Sequence, residues 1–199
     1  LLSSSPTSVV TLGSGGTSLL PFMTGSYADQ FAFKPVVSLE YDTDGSGSWT
    51  AGTASAGQVL FDGNQNTKLS VNPASYKGFR VVVDAGSYIA PIIAVVEQSW
   101  TSPSGTSPLN ILFESSADGS SWTTRKTFST TANASSSVNH YIELTNHVPE
   151  RYWRISVVRT DAGTNNLNIY DIKLLASTNM NFGALKGLPF TWDYDRLIS

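Results

Sequence analysis

The chain has no cysteine, few charges and no long apolar run, and each shortage removes a class of protein. Without cysteine there is no disulfide, no zinc–thiolate centre and no thiol nucleophile, so stability has to come from packing. A small secreted animal domain would more often carry bridges, so the lack favours a bacterial or phage source. Charged residues are 14% of the 199, the formal net charge is -3, and no stretch concentrates Lys or Arg. That leaves no electrostatic footprint for a nucleic acid. No segment approaches the roughly 18 apolar residues of a membrane helix, and Leu1 to Pro6 lacks a basic n-region, so membrane insertion is not expected. The first residue is Leu rather than Met, which suits a processed chain, a trimmed one or part of a longer protein; the sequence leaves these open.

What is present is apolar bulk and turn-forming residues. Hydrophobic residues make up 40%, with five Trp, nine Phe and eight Tyr, enough to bury a core and to argue against disorder. The polar remainder is mostly Ser, Thr, Asn and Gly, which suits strands and turns better than helices. Such a surface is common in virion and extracellular proteins.

Residues 1–35 set short apolar clusters, Val9-Val10, Leu19 to Phe22 and Phe31 to Phe33, among Ser, Gly and Thr without helical period. This reads as an extended N-terminal arm. Residues 36–176 change to short strands punctuated by Gly, Pro, Asp and Ser, the all-β signature. The expected strands are Val36–Tyr41, Phe79–Val83, Ile92–Gln98, Leu109–Ser115, Trp122–Phe128, Tyr141–Leu144, Tyr152–Arg159 and Leu167–Leu175. Phe79, Val81 and Val83, and Trp153, Ile155 and Val157, alternate with polar or smaller neighbours, as burial of one strand face against a second sheet requires. Trp122 and Trp153 lie inside strand patterns and are assigned to the core. Residues 177–199 carry Phe182, Leu185, Leu188, Phe190, Trp192 and Tyr194 and read as a second arm, whose apolar groups need burial on the domain or on a partner.

Catalytic signatures are missing. The histidines are His140 and His147, no Gly-x-Ser-x-Gly elbow, His-Glu-x-x-His helix or phosphate loop occurs, and the 15 acidic residues favour no pair. No enzyme is expected. Asp42-Thr43-Asp44-Gly45-Ser46 resembles the start of an EF-hand, but its twelfth position is Thr53 rather than Glu, so a hairpin turn is expected. Asn133-Ala134-Ser135 is a glycosylation sequon inside a polar loop and reads as incidental.

Three stretches occur in a telling order. Ala54 to Thr67 contains Asp62-Gly63-Asn64-Gln65-Asn66-Thr67; Phe79 to Gly86 is an apolar run ending in Asp84-Ala85-Gly86; and Ser116-Ala117-Asp118-Gly119-Ser120-Ser121-Trp122 is followed by Arg151-Tyr152-Trp153-Arg154-Ile155 and Ile169-Tyr170-Asp171-Ile172. Over residues 52–176 this series resembles the discoidin, or coagulation-factor type C, family of galactose-binding-like domains, which includes many carbohydrate-binding modules. The resemblance implies an all-β, jelly-roll-like antiparallel β-sandwich, here with extended N- and C-terminal arms, whose end loops bind ligands.

The resemblance further implies a structural calcium (Ca2+) held by Asp62, Asn64 and Thr67 of the loop, closed by Asp171 where the family often has Glu. The competing reading is a tight turn in which Asp62 caps backbone amides. For a glycan, an aromatic face and nearby hydrogen-bonding groups are needed; Trp49, Tyr76 and Trp100 are the aromatic candidates, with Arg125 and His140 as polar partners. The family's Trp just after the Asp-Gly loop is replaced by Lys68-Leu69, which puts glycan specificity in doubt.

Two readings of function follow. In the first, the chain is a non-catalytic phage virion component, in a tail, fibre, baseplate or capsid decoration, binding other virion subunits or itself as a homo-oligomer through its arms, or a host-surface glycan. In the second, it is a carbohydrate-binding module of a secreted bacterial enzyme or adhesin. Either places it in a virion or outside the cell. A lipid-binding domain ranks last, because no basic cluster is visible.

Overall fold

The computed structural model describes residues 27–29, 34–99, 109–130, 138–144, 148–161 and 165–177. Most of both arms, together with Trp100 and His147, lies outside the described residues. Chain contacts separate a unit of residues 29–176 from a second unit of residues 1–28 and 177–199. The larger unit holds the sandwich.

Its elements are β2 (Val36–Asp42), β3 (Trp49–Ala51), a one-turn helix α1 (Ala54–Gly57) running into a 3-10 turn (Gln58–Phe61), β4 (Leu69–Val71), β5 (Gly78–Ile89), β6 (Ile93–Ser99), β7 (Leu109–Ser116), β8 (Thr123–Thr130), β9 (Val138–Glu143), β10 (Glu150–Arg159) and β11 (Leu167–Ser177). A short β1 (Tyr27–Asp29) precedes them. The six-stranded sheet runs β3-β2-β5-β10-β7-β8, and in the facing sheet β11 pairs with both β4 and β6, and β6 with β9. Neighbours within each sheet are antiparallel. The chain is therefore an all-β antiparallel sandwich.

The core follows from alternation. Phe79, Val81 and Val83 of β5 lie beside Val157, Ile155 and Trp153 of β10 in register, and Ile155 sits opposite Phe113 of β7. All are almost wholly buried, and Ala94, Val96, Ile142, Ile172 and Leu174 supply the other sheet's half of the same core. The 3-10 turn adds Leu60 and Phe61, both at most 1% exposed, so the segment just before Asp62 is anchored by burial. Gly78 is required where β5 meets β10: a Cβ there would collide with the Val157 carbonyl and lie 2.8 Å from Val158 Cα.

Several boundaries differ from the expected ones. β5 continues through Asp84-Ala85-Gly86 to Ile89, with Gly86 at φ +72° inside the strand. The strand is expected to end at Val83, but it runs on through an irregular, bulged stretch that holds Gly86 and where the β10 register slips between Glu150 and Tyr152. The three-residue β3 and β4 were not expected, since neither is long enough to show a period. Trp122 precedes β8 rather than lying in it and is half-exposed, which corrects its assignment to the core; Trp153 is 2% exposed, and its indole N–H donates to the Glu150 carbonyl.

Candidate functional site

Turn chemistry shapes the loops first. Asp42, 1% exposed, accepts the N–H of Gly45 at 2.8 Å through Oδ1 and that of Gly47 at 3.1 Å through Oδ2, with both glycines at positive φ. Both oxygens are spent on closing the β2–β3 hairpin, so the segment resembling an EF-hand is a turn. In the β7–β8 turn, Asp118 accepts the N–H groups of Ser120 and Ser121, and those bonds hold its carboxyl far below the usual carboxylate range.

The loop after Phe61 is closed in the same manner. Asp62 Oδ1 accepts the Asn64 N–H at 2.8 Å, Asp62 Oδ2 accepts the Thr67 hydroxyl at 2.7 Å, and that hydroxyl also lies 2.8 Å from the Asn64 carbonyl. Three hard oxygens thus converge on one point of the loop, a donor set that suits calcium chemically. The same bonds are those of a self-capped turn, so the loop needs no ion to hold its shape. Asp171 stands in β11, 3% exposed, with its Oδ2 3.0 Å from Lys173 Nζ, and it shares a cavity with Gln65 of the loop. Among the described residues no group of three or more His, Cys, Asp or Glu side chains is gathered to hold a metal.

Of the expected glycan residues, Trp49, Tyr76, Arg125 and His140 are described, and each is engaged with partners of its own. Trp49 opens β3 with its indole half-exposed, and the Arg80 guanidinium lies 4.5 Å from the ring centroid. Arg80 is fixed in turn by Glu40 Oε2, at 2.7 Å from Nε and 2.6 Å from Nη2. Tyr76 stacks on Tyr41, centroids 4.7 Å apart and planes 23° apart, at the margin of the core. Burial, followed by the neighbouring Tyr76, raises the Tyr41 phenol above its ordinary value.

Arg125 and His140 face inward, contrary to their expected role as ligand partners. Arg125 is 8% exposed, donating to Ser115 Oγ at 2.6 Å and to Glu150 Oε1 at 3.0 Å. His140 is 6% exposed, with Nε2 2.7 Å from Gln98 Oε1, and burial pushes its imidazole below the ordinary value, so it is neutral at pH 7. The physical reason is strand parity. β9 begins at Val138, three residues before its expected start, which puts His140 on the same inward face as Ile142.

The outer face of the six-stranded sheet carries residues that the sequence reading did not single out. Arg154 grips Glu114 through two bonds of 2.6 and 2.8 Å, and its guanidinium lies 4.4 Å from the centroid of Trp122. This repeats the stack of Trp49, Arg80 and Glu40 further along the face. Nearby, Arg151 is bidentate to Asp84 at 2.8 and 2.7 Å and lies over Tyr152. Each stack pairs a half-exposed indole with a guanidinium whose direction is set by a carboxylate. The alternation of Arg154 and Ser156 with core residues put them on this face, but their partners are fixed only by strand pairing.

No protein-family model matches the chain, and no curated protein matches it. Solved structures do. The C-terminal domain of a chitobiase from Bacteroides fragilis matches at 16% identity and TM-score 0.50, covering 77% of this chain and 100% of that one. A chitosan-binding module from a Paenibacillus chitosanase/glucanase matches at 18% identity and TM-score 0.50, covering 76% and 100%. A GH29 fucosidase from Ruminococcus gnavus, solved in complex with fucose, matches at 16% identity and TM-score 0.51, covering 76% of this chain and 27% of that one. At these identities the likeness is one of fold, and the fold is the galactose-binding-like, discoidin-type β-sandwich.

Proposed function

We propose that the chain is a non-catalytic carbohydrate-binding module acting outside the cell, the second of the two readings above. The observation that carries this is the pair of guanidinium-backed indoles, Trp49 and Trp122, on one outer face of a discoidin-type sandwich. A half-exposed indole offers a pyranose the apolar platform it stacks on, and a fixed Arg–Glu pair beside it offers donors and acceptors for hydroxyls without further ordering cost. The similar structures named above are parts of glycan-acting enzymes rather than virion subunits, which favours this reading over the virion one. Glu40, Glu114, Glu150 and Asp84 are each committed to an arginine, so none of these four is a ready general acid or base.

The test is a glycan array followed by calorimetry on the full chain and its Trp49→Ala and Trp122→Ala variants. Affinity for a glycan that scores on the array should fall about fivefold or more in at least one variant, with the melting temperature little changed. An array without hits, or affinities indifferent to both tryptophans, removes the proposal. Calcium at the Asp62 loop belongs to it as a stabiliser: adding the ion should raise the melting temperature and a chelator reverse it. Light scattering decides the virion alternative, since a stable trimer or larger assembly would favour strapping by the arms over an independent module.

A further inference from the structure

The facing sheet has an outer surface of different character. Its strands β9, β6 and β11 line a cavity of about 200 Å3 with Asn139, Tyr141, Val95, Glu97, Asp171, Lys173 and Leu175, joined by Gln65 from the Asp62 loop. Glu97 and Asp171 are direct cross-strand partners, so two carboxylates stand opposite one another. They are 9% and 3% exposed. Like charges so placed repel, and burial strengthens the repulsion.

One of the two has a local answer. Lys173 Nζ lies 3.0 Å from Asp171 Oδ2, although that oxygen makes no hydrogen bond. Glu97 has no hydrogen-bond or ion-pair partner among the described residues, although its side chain is nine-tenths buried and lines the cavity. A buried carboxylate without a partner is costly unless a cation completes it. The lining therefore carries two negative groups against one positive, a deficit of one unit charge.

The geometry points to this cavity as a subsite for a single sugar unit bearing a protonated amine, a hexosamine with its nitrogen unacylated. The ammonium would sit on Glu97, where Lys173 leaves one negative charge unmatched. The carboxamides of Asn139 and Gln65 and the Tyr141 phenol supply donors and acceptors for ring hydroxyls, and Val95 and Leu175 give apolar contact for ring C–H groups. The volume is below the roughly 300–1,000 Å3 of pockets for drug-sized ligands, which limits the occupant to about one ring. The inference rests on the carbohydrate-binding reading and deepens it by naming a ligand class and a second place on the fold.

The test titrates glucosamine, glucose, N-acetylglucosamine and n-butylammonium into the full chain, followed by backbone amide shifts in NMR. Glucosamine should move the amides of Glu97, Asn139, Tyr141 and Lys173 and bind at least about tenfold tighter than glucose, since a charge-assisted hydrogen bond is what distinguishes them. N-acetylation should remove that preference, and so should Glu97→Gln, whose near-identical shape keeps the fold intact. Equal binding of glucose and glucosamine, or butylammonium binding as well as glucosamine, overturns the inference. Neutral sugars shifting only the Trp49 and Trp122 face would overturn it and leave the proposed function standing, whereas no sugar binding anywhere sinks both.

Discussion

The outer faces of the two sheets arise from the same alternation of side chains but treat charge in opposite ways. On the six-stranded sheet three carboxylates of neighbouring strands each have an arginine, Glu40 with Arg80, Asp84 with Arg151 and Glu114 with Arg154, and the buried Asp42 is met by backbone N–H groups. On the facing sheet, Glu97 meets Asp171 across the strands and one lysine serves the pair. The first face is electrostatically finished, and its free capacity lies in the aromatic rings beside the ion pairs. The second is left, among the described residues, with one negative charge more than positive. One sandwich can thus offer two recognition chemistries, stacking on one side and charge on the other.

The largest expected effect tests whether the first face is indeed finished. Glu114→Gln removes the charge on which both Arg154 bonds converge, leaving a guanidinium whose side chain is only 19% exposed without its counter-ion. A loss of about 1.5–3 kcal/mol is expected in urea denaturation, the range for a hydrogen bond to a charged group. An unchanged midpoint would mean that the arginine finds an equal partner in water, and the contrast between the faces would lose its energetic content.

A smaller effect is read from pH. The Arg151 hydrogen bonds hold the Asp84 carboxyl below its ordinary value, ahead of the opposing effect of burial. A depressed folded-state value means that the unfolded chain binds the proton more readily. The stabilisation is therefore complete above about pH 4, the unfolded value, and is lost as the pH falls through the folded one. Arg151→Ala should lower the melting temperature at pH 7, by a small amount because the 43% exposure of Arg151 screens the pair, and should converge on the parent as the pH falls below 4, so that its acid limb is the flatter one. Parallel acid limbs in the variant and the parent would assign the acid sensitivity elsewhere.

Sequence reasoning reached the fold because the fold is written in local period. Phe79-Val81-Val83 and Trp153-Ile155-Val157 announce two buried strand faces, and the Asp-Gly turns mark where strands end. It placed Trp49 beside a turn for the same reason. It did not reach Arg80 with Glu40 or Arg154 with Glu114, because each pair is separated by 40 residues and meets only through pairing register. The Glu97–Asp171 pair is hidden more deeply. Ile169 and Ile172 both point inward, so strict alternation through β11 would put Asp171 inside; the irregularity between Ile169 and Asp171 reverses the parity and turns the carboxylate out. Strand period is visible in a sequence, whereas a bulge that shifts it by one is a tertiary decision.

The smallest effect has the opposite sign, which makes it the sharpest test of the comparison. Glu97→Gln removes one of two opposed carboxylates while keeping side-chain volume, and no described partner of Glu97 is lost. Since like charges directly opposite in a sheet cost roughly 0.2–1 kcal/mol, the variant should gain about 0.5 kcal/mol in the absence of ligand. The same chemical change, carboxylate to carboxamide, would then destabilise the finished face at Glu114 and stabilise the unfinished one at Glu97. Denaturation midpoints moving in opposite directions in a low-salt buffer free of amines and divalent ions would establish that the deficit is real. A loss of stability at Glu97 would instead mean that the carboxylate already has a counter-charge, and with it the reason for a cationic ligand would disappear.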